Sequence, residues 1–494
     1  MGRNMLEQRI AEAQHVIERS KDAVAKGNMR QKYHFMPQVG WLNDPNGLIY
    51  YQNKYHLFYQ FNPYDAYWGA MHWGHAISDD MVHWEHLPVA LAPSEPYDDH
   101  ERGGCFSGSA IEHDNKLYLM YTGTWKEGES FRQSQCIAYS EDGINFTKYE
   151  GNPVIPTPPE GYDTANFRDP KVWKHEDCYY MVLGGKKDNL AQALLYRSRD
   201  MLTWEFFNVL AESRGELGYM WECPDFYQVG DKYVLMFSPM GVYERTAVYL
   251  VGDMNYRTGK FTYSTIGEMD WGFDFYAPQS FVDDKNRRIL IAWANAWDWM
   301  HWWKDWGPTF KEGWCGFFSI PRKVKLYKDG TLQFEPIKEM ELLRGIGYNR
   351  DGFFIDKEPY LIPTVNGNTY ELKLSINLER TTANRLILML RSDGIRHTKV
   401  IINLKEQMLY TDRNNSDGWS KGVTKSPLLM RDDKVMDIHM FVDQSSIELF
   451  TDEYRTNHSI NVFASESQDQ NYIQGVEGGV YINQIETWEL KTVM

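Results

Sequence analysis

Three acidic motifs carry the chemistry legible in this chain: Asp44-Pro45-Asn46 within WLNDPNG, Arg168-Asp169-Pro170, and Glu222-Cys223-Pro224-Asp225. A single Asp-Pro is ordinarily a turn. Three carboxylates brought to one place repel one another, and at least one of them then holds its proton more tightly. Cleavage of a glycosidic bond needs such a set. One carboxylate attacks the anomeric carbon or activates water, another protonates the departing oxygen, and a further anion stabilises an oxocarbenium-like transition state.

A repeat must position these motifs. The segments KYHLFYQ (54–60), KLYLMYTG (116–123), CYYMVLGG (178–185), KYVLMFSP (232–239) and RILIAWAN (288–295) share one pattern, and their markers Tyr55, Leu117, Tyr179, Tyr233 and Ile289 are 62, 62, 54 and 56 residues apart. That period suits one four-stranded blade. Asp44, Asp169 and Glu222 lie 11, 10 and 11 residues before their markers, and Ser107 and Gln279 lie 10 before the other two. Blades arranged about an axis would direct all five inward. A second series has the form Ser-x-Asp-x-x-x-aromatic: Ser78-Asp80-Trp84, Ser140-Asp142-Phe146 and Ser198-Asp200-Trp204. It reads as an Asp-capped turn followed by a packing aromatic, hence as structural.

The expected fold is all-β, with a five-bladed β-propeller over residues 33–340, a linker over 341–355 and a β-sandwich over 356–494. A helical extension occupies 1–32, where Leu6, Ile10, Ala13, Ile17 and Val24 recur at helical spacing before Gly27. The sandwich is read from alternating segments such as TYELKLSINL (369–378) and VMDIHMFVDQSSIELF (435–450).

The 494 residues, 43% of them hydrophobic, are enough for sizeable cores, so disorder is excluded. A net charge of −16 argues against nucleic acid or an anionic membrane as partner. The five cysteines, Cys105, Cys136, Cys178, Cys223 and Cys315, contain no CxxC pair and read as free thiols of a reducing compartment. No secretory leader and no run of 18 apolar residues is seen, so the expected location is cytoplasmic. His72, His75, His83 and His86 fall on strand-like segments whose alternation separates them, and neither a metal nor a cofactor is expected.

WLNDPNG, FSGS (106–109), FRDP (167–170), YMWECPD (219–225) and DFYAPQ (274–279) together resemble glycoside hydrolase family 32 over nearly the whole chain. The resemblance implies a β-fructofuranosidase with a five-bladed propeller and a β-sandwich. It makes Asp44 the nucleophile, Glu222 the acid/base and Asp169 the transition-state stabiliser, with retention of configuration. Arg168 would orient the carboxylates, and Asn43, Gln60, Trp68, Phe106, Ser107 and Asp274 would line the fructose pocket. The LGYMWECPD run and the N-terminal helix resemble the sucrose-6-phosphate hydrolase branch, whose phosphate would need a basic pocket. Arg102, Arg132, Lys186, Lys187 and Lys304 lie in suitable loops, although solvated surface charge accounts for each of them as well.

Trp293, Trp297, Trp299, Trp302, Trp303 and Trp306 crowd one segment, where indoles could either stack on sugar or fill a core. That segment departs from the family pattern. The implied partner is a small sugar: sucrose, sucrose 6-phosphate or, as the alternative, a short fructo-oligosaccharide. A non-catalytic carbohydrate-binding propeller is a different class, and an arabinan-cleaving propeller is a third reading disfavoured by WLNDPNG with ECPD. The oligomeric state is left open.

Overall fold

The computed structural model describes residues 2–300, 307–356, 358–365 and 367–493 and divides into two compact units. The first comprises Met1–Ala25, Met36–Glu268 and Tyr276–Thr331, and the second Lys26–Phe35, Met269–Phe275 and Leu332–Met494.

In the first unit, Gly40–Tyr51, Lys54–Asn62, His72–Ser78 and Trp84–Leu91 form an antiparallel sheet, and the short strand Trp314–Cys315 joins in parallel beside Gly40 and Trp41. Further antiparallel sheets begin on Gly104–His113, Phe167–His175, Met220–Val229 and Tyr276–Val282. Tight turns close the hairpins. Gln52-Asn53 and Asp114-Asn115 adopt the left-handed backbone that two-residue hairpin turns require. The fifth hairpin instead has a longer connection, in which Asp283 accepts the backbone N–H groups of Lys285 and Arg287 at 3.0 and 2.6 Å.

The Ser-x-Asp series forms the expected turns. Asp80, Asp142 and Asp200 each accept two successive backbone N–H groups at 2.7–3.0 Å, and the indoles of Trp84 and Trp204 donate back to the carbonyls of Met81 and Met201. Apolar side chains such as Val182, Leu195, Leu235 and Leu250 then fill the space between adjacent sheets.

The second unit packs two six-stranded sheets, ordered on one side around Tyr370–Asn377, Val435–Asp443 and Val480–Leu490 and on the other around Arg385–Ser392, Thr398–Asn403 and Gln470–Val476. Alternate residues, including Leu372, Leu374, Leu386 and Leu388, meet in one core, as a sandwich requires.

Two expected boundaries are corrected. Residues 344–355 are not a linker but a strand, Arg344–Ile355, paired antiparallel with Val480–Leu490. Its long exposed stretch lacks the apolar alternation that marks strands in sequence. The extension 1–32 is not one element either. The helix Gly2–Val24 buries Leu6, Ala13, Ile17 and Val24, while Lys26–Phe35 belongs to the second unit, where Asp443 accepts the backbone N–H groups of Lys32, Tyr33 and His34.

Candidate active site

Every sheet of the first unit opens on a strand whose ladder slips near its start: between Leu42 and Pro45, Phe106 and Gly108, Arg168 and Lys171, Glu222 and Asp225, and Tyr276 and Gln279. Aligning these strands on Pro45, Gly108, Pro170, Pro224 and Pro278 sorts the residues into two tiers. Asn43, Phe106, Arg168, Glu222 and Tyr276 form one, and Asp44, Ser107, Asp169, Cys223 and Ala277 the next. Asp169, Cys223 and Ala277 have left-handed backbone, with φ of 68, 49 and 50°, a conformation that re-aims a bulged strand. Each of those N–H groups is captured across to the preceding sheet, by Thr122 Oγ1 at 3.0 Å, Asp169 Oδ2 at 2.8 Å and Ser238 Oγ at 2.8 Å respectively. Proline follows in all three cases, where no ladder donor is needed.

The residue spacing therefore needs two refinements. Glu222 shares its tier with Arg168 rather than with Asp169, and the fifth position is filled by Tyr276 and Ala277 rather than by Gln279, because the longer fifth hairpin displaces the marker. Gln279 is buried and lines no part of the pocket.

The tiers place the three carboxylates around one cavity of about 410 Å³, within the range of small-molecule sites. Asp44 Oδ2 accepts from Ser107 Oγ at 2.6 Å and from the Cys223 thiol at 3.3 Å. Arg168 donates to Glu222 Oε1 from Nε at 3.1 Å and from Nη2 at 3.0 Å, and the Tyr276 hydroxyl donates to Oε2 at 2.5 Å. Arg168 is itself oriented by Gln133 and Asn166, at 3.4 and 3.3 Å. The Glu222 side chain keeps 17% of its surface exposed and that of Asp169 only 3%, so Glu222 is the more open of the two to solvent.

The mutual repulsion expected from the motifs is present. Burial, then the charge of Glu222, pushes Asp44 up to about 6, against hydrogen bonds from Ser107, Asn43 and Cys223. Burial also pushes Asp169 up to about 7, with Glu222 and Asp44 adding to the effect and Arg168 opposing it. Cys223 is held as a neutral thiol by burial and by the three carboxylates, so it serves as a donor to Asp44 and not as a nucleophile.

Asn43, Gln60, Trp68, Phe106 and Ser107 all line the cavity. Asn43 is held by the Trp41 indole at 2.8 Å, Gln60 donates to the Cys105 carbonyl at 2.8 Å, and Trp68 meets Phe106 edge-on with centroids 6.0 Å apart. Asp274 does not line it. It belongs to the second unit, fully buried, where Arg413 donates to it at 2.8 Å and the Asn461 N–H at 2.7 Å. The strand begins only at Tyr276, so the residue of DFYAPQ that reaches the carboxylates is the tyrosine.

Tyr276 was missed, although a signal for it exists. Arg168-Asp169-Pro170, Glu222-Cys223-Pro224 and Tyr276-Ala277-Pro278 are one x-x-Pro series, and phasing on proline rather than on the following strand finds it. Thr124, Phe131, Gln133, Asn166 and Met240 also line the cavity without any local motif. Of the tryptophan-rich segment, Trp293 is buried against Trp41 and Trp297, whereas Trp297 reaches the cavity wall and stacks on Trp41 at 6.1 Å; Trp302, Trp303 and Trp306 lie outside the described residues. The cluster His56, His75 and Phe58 is a stacked core in which burial holds both histidines neutral.

Residues 34–336 match the model described as Glycosyl hydrolases family 32 N-terminal domain, and residues 339–489 match Glycosyl hydrolases family 32 C terminal. The chain belongs to glycoside hydrolase family 32. Within the family it is 36% identical over 485 residues to a sucrose-6-phosphate hydrolase of Zymomonas mobilis subsp. mobilis, covering 93% of this chain and 92% of the relative. Two solved structures share its fold over nearly the whole length. A family 32 beta-fructofuranosidase of Bombyx mori, a mutant in complex with sucrose, superposes with a TM-score of 0.84 at 33% identity and 99% coverage of both chains. The sucrose-6-phosphate hydrolase of Lactobacillus gasseri gives 0.86 at 29% identity, with 97% of each chain covered. This family 32 chain is thus all-β, with a β-propeller domain followed by a C-terminal β-sandwich.

Proposed function

We propose that this chain is a retaining β-fructofuranosidase that releases the terminal non-reducing β-D-fructofuranosyl unit of sucrose or sucrose 6-phosphate. The observation that carries the reading is the unequal use of three clustered carboxylates. Asp44 lines the cavity with its carboxylate pinned by Ser107 and Cys223, which suits an in-place nucleophile. Glu222 is the most accessible of the three and has both oxygens held, which suits the group that protonates the leaving oxygen and then activates water. Asp169, buried and tied to the Cys223 backbone, suits a fixed anion that stabilises the oxocarbenium-like transition state.

In the forward step Asp44 forms a bond to the fructose anomeric carbon as the bond to the leaving oxygen breaks, and the proton of Glu222 goes to that oxygen. Water then gives a proton to Glu222 and displaces Asp44, so two inversions yield net retention. The relatives named for sucrose 6-phosphate and the sucrose-bound neighbour support the substrate class. Trp297 on the cavity wall favours short fructo-oligosaccharides as a second substrate, since an indole offers a face on which a further sugar can stack.

The first unit is read as a five-bladed propeller, each sheet giving one bulged strand to the cavity, with its boundary to the sandwich near residue 340. A phosphorylated disaccharide does not cross a membrane unaided, which supports a cytoplasmic location; no helix among the described residues is long and apolar enough to span one. NMR of the first-formed fructose tests the reading directly. β-Fructofuranose is expected from the native chain, with fructose release from sucrose lowered about 10²–10⁴-fold in Glu222→Gln. Unchanged release in that variant, or an inverted first product, would sink the assignment.

A further inference from the structure

We propose that Arg102 is the specificity-determining residue that takes the phosphate of a phosphorylated leaving group, an inference that rests on the β-fructofuranosidase reading above. The charge layout of the cavity leaves few places for such a group. Asp44, Asp169 and Glu222 repel a phosphate from the floor, and the guanidinium of Arg168 is already committed to Glu222, Asn166 and Gln133. A dianion must therefore be met by a cation other than Arg168. Arg102 also lines the cavity, is exposed, and makes no ion pair among the described residues.

The backbone beneath it is anchored. The Arg102 N–H donates to His100 Nδ1 at 3.0 Å, the Gly103 N–H to the His100 carbonyl at 3.0 Å, and the Met71 N–H to the Gly103 carbonyl at 3.0 Å. A Cβ on Gly103 would stand 2.3 Å from the Thr124 carbonyl oxygen, so the close approach that seats this turn needs glycine there. Phe131, another wall residue, packs edge-on against His100 at 5.5 Å. A planar guanidinium fork presented from an anchored turn is well matched to two phosphate oxygens.

The other basic residues singled out by sequence do not compete. Arg132 is bound to Glu127 and Thr164, Lys186 lies 3.6 Å from Asp163, and Lys187 lies over the Tyr162 ring; none lines the cavity. Lys304 lies outside the described residues.

The test is kcat/KM on sucrose and on sucrose 6-phosphate for the native chain, Arg102→Gln and Arg102→Lys. Losing a charged hydrogen-bonding partner should lower kcat/KM for the phosphorylated sugar about 10–100-fold in Arg102→Gln, mainly through KM, with less than threefold change on sucrose. Arg102→Lys should recover part of the loss. Added salt should raise KM for sucrose 6-phosphate in the native chain and do so far less in Arg102→Gln. Equal losses on both sugars, or no loss on the phosphorylated one, overturn the role of Arg102. Native turnover of sucrose alone also overturns it while leaving the β-fructofuranosidase reading intact, whereas native turnover of neither sugar sinks that reading itself.

Discussion

Buried carboxylates occur in both units, but several of the second unit and those around the cavity of the first are partnered differently. In the second unit Asp274 meets Arg413, Glu371 meets both Arg344 and His439 at 2.7 Å, and Asp443 and Glu448 clasp His34 from its two ring nitrogens at 2.8 and 2.9 Å. Each of these four acids faces a cation. Burial alone would raise Glu371, yet hydrogen bonds from Arg344 and His439 hold it down at about 2. Burial likewise pulls His34 down, and Asp443 and Glu448 outweigh it to hold the imidazole at about 9. Around the cavity of the first unit, Arg168 lies 3.0 Å from Glu222 and 4.0 Å from Asp169 and makes no ion pair with Asp44, and Asp44 and Asp169 are pushed up instead. Matched charges hold a fold together. A shortage of cations leaves carboxylates whose charge is held weakly, as clustered acids at reactive sites are.

The sharpest way to break this contrast is to remove one charge from each side. Asp44→Asn should abolish fructose release from sucrose by more than the roughly 10²–10⁴-fold expected of a general acid–base group, with unfolding by urea little changed. Arg413→Met should do the opposite. It leaves Asp274 buried without its cation, at a cost of about 3–5 kcal/mol in urea unfolding; a loss below 1 kcal/mol would show that the pair is not structural.

A milder change tests whether the acid is tuned. Tyr276→Phe removes one charge-assisted donor from Glu222 and should lower kcat by about 10–100-fold while moving a limb of the pH–rate profile; a uniform loss without a pH shift would make Tyr276 a packing residue only.

The smallest expected effect concerns stability against pH. Because the folded-state values of Asp44 and Asp169 are raised, their contribution is fully present below about pH 4 and is lost as pH rises through about 6 and 7. Asp169→Asn should therefore stabilise the chain by about 1–3 kcal/mol at pH 8 and by almost nothing at pH 4. His34 has the same sign in a different window, its contribution present below about 6.5 and lost as pH rises through about 9. Glu371 runs the other way, its contribution present above about 4.5 and lost as pH falls through about 2. Equal melting shifts at pH 4 and pH 8 in Asp169→Asn would remove the contrast between the two units. Activity should also fall as pH drops through about 6, where Asp44 gains its proton and ceases to be a nucleophile.

Much of the cavity is legible in short motifs. A bulge followed by proline is a local event, and so are the Ser-x-Asp turns; both recur because every sheet solves the same packing problem with the same residues. Tyr276 was hidden by a hairpin of different length, and Asp274 was misplaced because DFYAPQ spans the point where a strand begins. The edge strand Arg344–Ile355 carries no alternation to announce it.

Sequence by itself determined the all-β character, the phase of the repeat and the identities of Asp44, Asp169 and Glu222, since pattern and residue type are properties of the chain alone. Only the tertiary structure decided which neighbour each acid has. Whether a carboxylate meets Arg413 in a core or two other acids in a cavity depends on contacts between residues far apart in the chain. Those contacts, not the residue type, decide whether the buried acid stabilises the fold or does chemistry.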